Sequence, residues 1–367
     1  MAELNTESQD KRVLMKGNEA VGEAAIKAGC QCYFAYPITP QTETPEYLAR
    51  RMEEENRIFL QAESEVAAIN MVFGASAAGA RVMTSSSSPG ISLKQEGISY
   101  IAGGELPCVI INVVRGGPGL GNIEASQADY FQSTRGGGHG DYRCIVLAPN
   151  SVQECYDMVM NAFDISDFYR VPVIIQSDGI IGQLVEPFNM HPYIPMYAKL
   201  PPKDWALTGC LGRKPNVVRT LFLNPPNGLE MHNRKLNDRY NKIKSELRWS
   251  DEFNCDKADI IVIAYGATSR IAKSAIKKHN TNGIKVGLFR PKTLWPWPDV
   301  ELVEIARRNK GAKFLVIEMS TGQMIEDVQL ALMDVVPKKD ILFYGMGGGW
   351  NPTPDQIYEE ISRVNKK

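Results

Sequence analysis

Apolar and polar positions alternate in two periods along the first half of the chain, and the alternation predicts the architecture. Residues 19–28 give an Ala-rich helical pattern behind Asn18 as N-cap, with Gly29 as the stop, and 32–36 read as an apolar strand. A helix opens at Thr44-Pro45, where a capping hydroxyl precedes Pro at the first helical position. A strand at 58–61, a helix at 64–78, a strand at 81–84, a helix at 91–102, a strand at 107–114, a helix at 151–166 and a strand at 172–176 continue the series. Such alternation implies an α/β fold: a mostly parallel sheet covered on both faces, with ligand loops at the carboxyl ends of its strands.

From Val185 to Cys255 the periodicity fails. Pro, Asn and Lys accumulate, and only 229–248 is helical, with Leu229, Leu236, Tyr240, Ile243 and Leu247 on one face. This stretch is expected to be an interdomain arm packed on a partner. A second series follows: strand 259–264, helix 269–279, strand 284–288, helix 299–308, strand 313–318, helix 324–334 and strand 341–344. The chain therefore divides into a first α/β domain at 12–185, an arm at 186–255 and a smaller α/β domain at 256–367. Trp295 and Trp297, flanked by Pro, fit either a rigid docking surface or core aromatics.

Composition narrows the function. Forty-one Lys and Arg against forty-two Asp and Glu leave a net charge of -1, with no basic field to recruit nucleic acid or an anionic membrane. No stretch approaches the roughly 18 apolar residues of a membrane span. The polar start Met1–Arg12 lacks the apolar core of a signal peptide, so a cytoplasmic protein is expected. Seven scattered cysteines suit reduced thiols, and only Cys30-x-Cys32 approaches the clustering that iron–sulfur ligation needs.

Five loops carry candidate chemistry. In Tyr36-Pro37-Ile38-Thr39-Pro40 the two prolines hold Thr39 in one pose. Glu63-Ser64-Glu65 places two carboxylates at a helix start, before the apolar run Val66–Ala75, which is expected to be buried nearly all round. Acidic residues are common in first turns, but a carboxylate embedded there has a raised pKa and can share a proton. Thr84–Gly90, with Ser88 and Gly90, offers hydroxyls and N–H groups with little bulk, fitting close approach to a flat ligand or a plain capping loop. Arg115 ends a buried strand before a Gly-rich loop that matches neither a P-loop nor the dinucleotide fingerprint. It suits a bidentate partner for a substrate carboxylate. His139, in Gly136-Gly-Gly-His-Gly-Asp141, is more often structural than catalytic in such a setting.

Together, Tyr36–Pro40, Gln61–Glu65, Thr84–Gly90, Arg115–Gly119, Gly136–Asp141, Arg290–Trp295 and Gly345–Pro354 resemble the alpha subunit of 2-oxoacid:ferredoxin oxidoreductases of anaerobic metabolism. The resemblance leans to the 2-ketoisovalerate type, with the 2-oxoglutarate type near. It implies thiamine diphosphate, with residues 12–185 as the pyrimidine-binding domain and 256–367 as a transketolase-C-terminal-like domain. Glu65 would bond the pyrimidine ring nitrogen, letting the cofactor's own amine take the thiazolium C2 proton. Ser88 and Gly90 would contact the cofactor. Thr39 and Arg115 would bond and orient the 2-oxoacid carboxylate. Coenzyme A would take the acyl group.

What is missing implies partners. The Gly-Asp-Gly and downstream Asn that hold Mg2+ and the diphosphate are absent, and Ser177-Asp178-Gly179 is the nearest imitation. The resemblance therefore implies that a beta subunit grips Mg2+ and the diphosphate. [4Fe-4S] clusters would sit in a ferredoxin-like delta subunit, a gamma subunit would be a separate chain, and an external ferredoxin would take the electrons. Two other readings stand beside it: a non-catalytic scaffold of the same fold, and a stand-alone synthase or decarboxylase, which the missing metal motif disfavours.

Overall fold

The computed structural model describes residues 12–223, 227–279 and 284–366; the polar start, residues 1–11, lies outside the described residues. The first half comprises β1 (Arg12–Lys16), α1 (Gly17–Lys27), β2 (Cys32–Ala35), α2 (Glu43–Glu54), β3 (Ile58–Gln61), α3 (Glu65–Ala77), β4 (Val82–Ser86), α4 (Ser88–Gly103) and β5 (Val109–Val114). Then come α5 (Tyr130–Arg135), β6 (Ile145–Leu147), α6 (Val152–Tyr169), β7 (Val173–Asp178), α7 (Gly179–Gln183) and β8 (Val185–Asn189). The remainder contains α8 (Gly228–Glu246), β9 (Ser250–Phe253), β10 (Ile260–Ile263), α9 (Gly266–His279), β11 (Val286–Pro291) and β12 (Thr293–Trp295). It ends with α10 (Asp299–Arg308), β13 (Lys313–Glu318), α11 (Met324–Leu332), β14 (Ile341–Gly345) and α12 (Pro354–Lys366).

Two large sheets organise these elements, beside the two-stranded pair β1-β8. The larger runs β12-β6-β7-β5-β4-β2-β3, parallel except for β12; the smaller runs β14-β13-β10-β11-β9, parallel except for β9. The middle strands β4, β5 and β7 are buried along their whole length, as helices on both faces require, which is why they are mostly apolar or small, with Asn112, Gln176 and Asp178 as the large polar exceptions.

Several expectations need correction. Asn18 is not a cap: α1 starts at Gly17, and the Asn18 amide reaches the Pro40 carbonyl at 2.8 Å and Glu43 at 2.8 Å. Thr44 sits inside α2, its hydroxyl donating to the Asn18 carbonyl at 3.0 Å. Helix α3 is not buried all round, because Val66, Asn70 and Gly74, one turn apart, are exposed. The arm packs on its own chain. β8 pairs with β1, and α8 buries Leu236, Tyr240 and Ile243 while Leu229 is exposed; Arg239 and Lys235 grip Glu105 of the first domain. β9 joins the second sheet and β12 crosses back to the first, so Trp295 is a core aromatic, edge-on to Tyr240 at 5.7 Å.

Candidate active site

The carboxyl ends of β2, β3, β4 and β5 open on one side of the larger sheet, and the loops leaving them meet there. The Thr39 loop is clamped from two sides. Asn18 bonds the Pro40 carbonyl from one, and Arg115 donates from Nη1 to the Thr39 carbonyl at 2.8 Å from the other. Thr39 itself is left exposed. Beside it lies a cavity of about 260 Å3 lined by Pro40, Glu124, Ala125, Ile180 and, from the second domain, Asn351.

The two neighbouring carboxylates part company. Glu63 is exposed, whereas Glu65, the first residue of α3 behind the Ser64 cap, is buried. Against it sits the first turn of α4. A Cβ on Gly90 would lie 2.5 Å from Glu65 Oε1 and 2.1 Å from Ser86 Oγ, so the absence of a side chain here is what lets those two tips sit against the helix. Ser88 links this turn to β5: its hydroxyl meets the Arg115 N–H at 3.0 Å and the Arg115 carbonyl at 3.2 Å. Thr39, Arg115, Ser88, Gly90 and Glu65 thus form one connected chain of contacts.

Arg115 is committed more fully than its sequence setting suggests. Its two terminal nitrogens bond the carbonyls of Thr39 and, at 3.2 Å, Leu120, and its Nε has no partner. It fixes the Thr39 loop and leaves its Nε–H unused. Other buried polar atoms at this mouth are also unpartnered: Ser86 Oγ, Ser87 Oγ and Gln41 Nε2. Such orphans cost free energy unless a polar ligand meets them.

Sequence reasoning missed Lys94. Its side chain is wholly buried, donating to Thr84 Oγ1 at 2.7 Å and the Ser85 carbonyl at 2.9 Å. Burial pushes its pKa down to about 7, against the pull of the Glu65 carboxylate. The signal was available, since Lys94 falls three residues after Ile91 and four before Ile98, on the buried stripe of α4. His139 is exposed, and its loop is tied to α4 by the Gly137 N–H donating to Gln95 Oε1 at 3.1 Å.

Asp178, the imitation metal residue, has another task. Its carboxylate accepts from the N–H groups of Ile180 (3.0 Å), Ile181 (3.1 Å) and Ala267 (3.3 Å), capping α7 and reaching the start of α9. Burial raises its pKa to about 6, the three N–H donors opposing. Among the described residues no group of three His, Cys, Asp or Glu gathers to hold a metal. The seven cysteines are free, six of them buried, and burial drives Cys30 and Cys144 up to about 12. No described helix is long and apolar enough to cross a membrane.

The family model of pyruvate flavodoxin/ferredoxin oxidoreductase, thiamine diphosphate-binding, matches residues 23–246, and that of pyruvate:ferredoxin oxidoreductase core domain II matches 258–357. The chain belongs to this family. It is therefore a subunit of a 2-oxoacid:ferredoxin oxidoreductase, an enzyme. A ketoisovalerate oxidoreductase subunit VorB of Methanothermobacter marburgensis is 50% identical over 319 residues, 87% of this chain and 89% of that one. A 2-oxoglutarate synthase subunit KorA of Methanothermobacter thermautotrophicus is 35% identical, over 96% of this chain and 98% of that one. Among solved structures, the 2-oxoglutarate:ferredoxin oxidoreductase from Magnetococcus marinus, with 2-oxoglutarate, coenzyme A and succinyl-CoA bound, superposes with a TM-score of 0.85 at 28% identity. The match covers 96% of this chain and 65% of that one. A split gene transketolase shares the fold, with a TM-score of 0.59 at 16% identity over 96% of this chain and 98% of that one. Thiamine diphosphate is this family's cofactor, and the donor set fits one end of it. A buried carboxylate backed by a glycine, with unpartnered hydroxyls beside it, suits a flat ring that bears nitrogen, whereas among the described residues no cluster of His, Cys, Asp or Glu gathers to hold the metal that accompanies a diphosphate.

Proposed function

We propose that this chain is the alpha subunit of a CoA-acylating 2-oxoacid:ferredoxin oxidoreductase that acts on 2-ketoisovalerate, and that it supplies the aminopyrimidine half of a shared thiamine diphosphate site. When bound, the cofactor supplies the nucleophilic carbon that makes 2-oxoacid decarboxylation possible. Glu65 holds a proton against the pyrimidine ring nitrogen, and Gly90 and Ser88 set the first turn of α4 against it. The Thr39 hydroxyl and the free Nε edge of Arg115 receive the 2-oxoacid carboxylate. Arg115 acts by positioning, since that carboxylate leaves as CO2. The connected chain of contacts from Thr39 to Glu65, with orphaned polar atoms at its mouth, carries this reading. Half the residues shared with a ketoisovalerate oxidoreductase subunit support the branched-chain substrate.

The unfilled half of the site argues for a partner chain. A beta subunit grips Mg2+ and the diphosphate, and gamma and ferredoxin-like delta subunits complete the complex, the latter passing electrons from its [4Fe-4S] clusters to external ferredoxin. Exposed apolar side chains support such partners. Ile58 and Leu60 lie on the edge strand β3, Val66 on α3 and Leu93 on α4, close to the mouth; Leu211, Val217, Leu221 and Leu223 follow along the arm. Residues 12–185, 186–255 and 256–367 are read as the pyrimidine-binding domain, arm and transketolase-C-terminal-like domain of a cytoplasmic enzyme.

The decisive experiment is Glu65→Gln in the assembled complex. Assembly is expected to survive, while 2-oxoacid-dependent dye reduction falls by roughly 10²-fold or more. Unchanged turnover rules out the role of Glu65, and failure of the wild-type complex to take up thiamine diphosphate favours a scaffold. In the same assay 2-ketoisovalerate is set against 2-oxoglutarate, pyruvate and an aryl 2-oxoacid; preference for the dicarboxylic acid overturns the substrate.

A further inference from the structure

A 2-oxoacid offers a protein two parts to read, its carboxylate and the side chain beyond its carbonyl, and the cavity of about 260 Å3 beside Thr39 is placed for the second. Thr39 lines that cavity, and Arg115, whose Nε is free, holds the Thr39 carbonyl. From Arg115, Glu65 is reached through Ser88 and α4, which follows β4; the cavity instead ends on Gly179 and Ile180, at the start of α7, which follows β7. In the sheet β5 lies between β4 and β7, so cofactor side and cavity flank Arg115 from opposite directions. We propose that this cavity receives the side chain of the 2-oxoacid, and that Glu124 in its wall excludes substrates carrying a second carboxylate. The proposal rests on the reading of Thr39 and Arg115 as the carboxylate contact of a thiamine diphosphate enzyme.

Pro40, Ile123, Ala125 and Ile180 give the wall apolar surface, which favours a branched alkyl chain leaving water. Size does not select, because the volume is several times the roughly 30 Å3 share of a water molecule in the liquid and admits a dicarboxylic acid as well. Charge does. Among the described residues no Lys, Arg or His lines the cavity, and Glu124 is its one charged side chain, without an ion-pair partner. The Glu124 backbone is held on both sides: its N–H donates to Asn122 Oδ1 at 3.2 Å and its carbonyl accepts from the Gly116 N–H at 2.9 Å. The cations nearby are committed. Arg115 has its terminal nitrogens on two carbonyls and keeps Nε for the first carboxylate, and Lys16, which touches Gln183 of the wall, is paired with Glu43 at 2.9 Å. A second carboxylate entering here loses water and meets a like charge. Discrimination of this kind works by penalising the wrong ligand.

The second domain completes the wall. Asn351 reaches the cavity from the loop after β14, and the Gly349 N–H seats that loop on the first domain by donating to the Ala125 carbonyl at 3.2 Å. A Cβ on Gly348 would lie 2.3 Å from Ser126 Oγ and 3.1 Å from the Gly116 Cα, so the missing side chain lets the loop lie against its neighbours. Bulk added at residue 351 therefore takes space from the cavity.

The test measures kcat/KM of the assembled complex for 2-ketoisovalerate, 2-oxoglutarate and pyruvate by dye reduction. Glu124→Gln is expected to raise the ratio of 2-oxoglutarate to 2-ketoisovalerate about tenfold, and Glu124→Arg about 10²-fold. Glu124 is exposed, and Glu124→Gln, which keeps its shape, carries the test if Glu124→Arg does not assemble. In the wild type the ratio rises with ionic strength, and it rises less in Glu124→Gln, because salt screens a repulsion that the amide does not exert. A ratio that stays at the wild-type value in the assembled Glu124 variants overturns the proposal. Asn351→Trp is expected to lower kcat/KM for 2-ketoisovalerate at least about tenfold relative to pyruvate. Equal losses for the two acids place residue 351 outside the side-chain pocket and overturn the proposed wall. If the wild type turns over none of the acids, calorimetric binding decides. Binding of 2-ketoisovalerate by the wild type, with 2-oxoglutarate binding gained in Glu124→Arg, leaves the pocket standing while the thiamine reading falls; any other binding result overturns both.

Discussion

The mouth of the larger sheet and the seam between the two sheets are both rich in buried polar groups, yet they are finished differently. At the seam the side chains that reach from one sheet to the other are paired, although Gln176 beside Tyr265 and Trp297 Nε1 beside Tyr130 are not. Gln127 is buried with its Nε2 on the Tyr265 carbonyl (2.9 Å) and its Oε1 accepting from Thr268 (3.0 Å) and the Met319 N–H (2.9 Å). The Tyr130 hydroxyl donates to Asp327 at 2.5 Å, Arg135 holds the same carboxylate at 2.9 Å, and Glu318 accepts N–H groups from the start of α11. At the mouth, Gln41 Nε2, Ser86 Oγ, Ser87 Oγ and Arg115 Nε have no partner. A satisfied network fixes two domains in register; an unsatisfied one waits for a ligand.

The contrast predicts that substitutions at the seam cost stability and those at the mouth cost binding. The largest stability loss is expected from Gln127→Leu. It leaves the Thr268 hydroxyl and the Met319 N–H without their buried acceptor, and should lower unfolding stability by about 3 to 5 kcal/mol in urea titrations. A loss below about 1 kcal/mol would mean the seam is not what holds the sheets together.

Asp178→Asn comes next, and its effect depends on pH. The folded-state pKa, near 6, is above the usual Asp value of about 3.9, so the stability linked to its proton is fully present below pH 4. That contribution is lost as pH rises through 6. The fully buried aspartate of the wild type should thus lose about 2 to 3 kcal/mol relative to the asparagine variant between pH 4 and 7. Parallel urea midpoints for the two proteins across that range would sink the assignment. Comparing them cancels Glu43 and Glu105, each brought to about 2 because hydrogen bonds from Lys16 and Asn18, or from Lys235 and Arg239, outweigh burial; these lose stability only at lower pH.

Gly90→Ala should have the smallest effect on stability, about 1 kcal/mol, because the new methyl meets the movable tips of Ser86 and Glu65. Its effect belongs to the mouth: thiamine diphosphate affinity of the assembled complex is expected to fall at least about tenfold, a cost of about 1.4 kcal/mol in binding. Unchanged affinity in a calorimetric titration would break the link between this glycine and the site.

Much of the fold was legible because periodicity reports burial directly. Strands 58–61 and 313–318 and helix 299–308 fall where the pattern puts them. Short or two-sided pieces escaped it. β6 and β12, each of three residues, are too brief to show a period, and β9 alternates little because it is an edge strand with no fully buried residue. The α3 pattern misled for a related reason: Val66 and Phe73 are apolar without being buried, so hydrophobicity alone overstated how much of the helix is covered.

The candidate residues Thr39, Glu65, Ser88, Gly90 and Arg115 were visible in the sequence as loops following strands of one parallel sheet, since strand polarity alone sends such loops to the same side. Which of Glu63 and Glu65 turns inward was decided by where α3 begins and packs against α4, Glu63 lying before the Ser64 cap, and the enclosure of Lys94 by the face of α4 that packs on the sheet. Sequence also placed Arg115 at a strand end but could not show its terminal nitrogens spent on two backbone carbonyls, because Thr39 arrives from a loop distant in the chain and Leu120 from the fold of the Gly-rich loop that follows Arg115 itself. Local pattern determined the elements and the side of the sheet where chemistry gathers. Pairing between residues far apart in sequence, which depends on how whole elements pack, decided which charges meet.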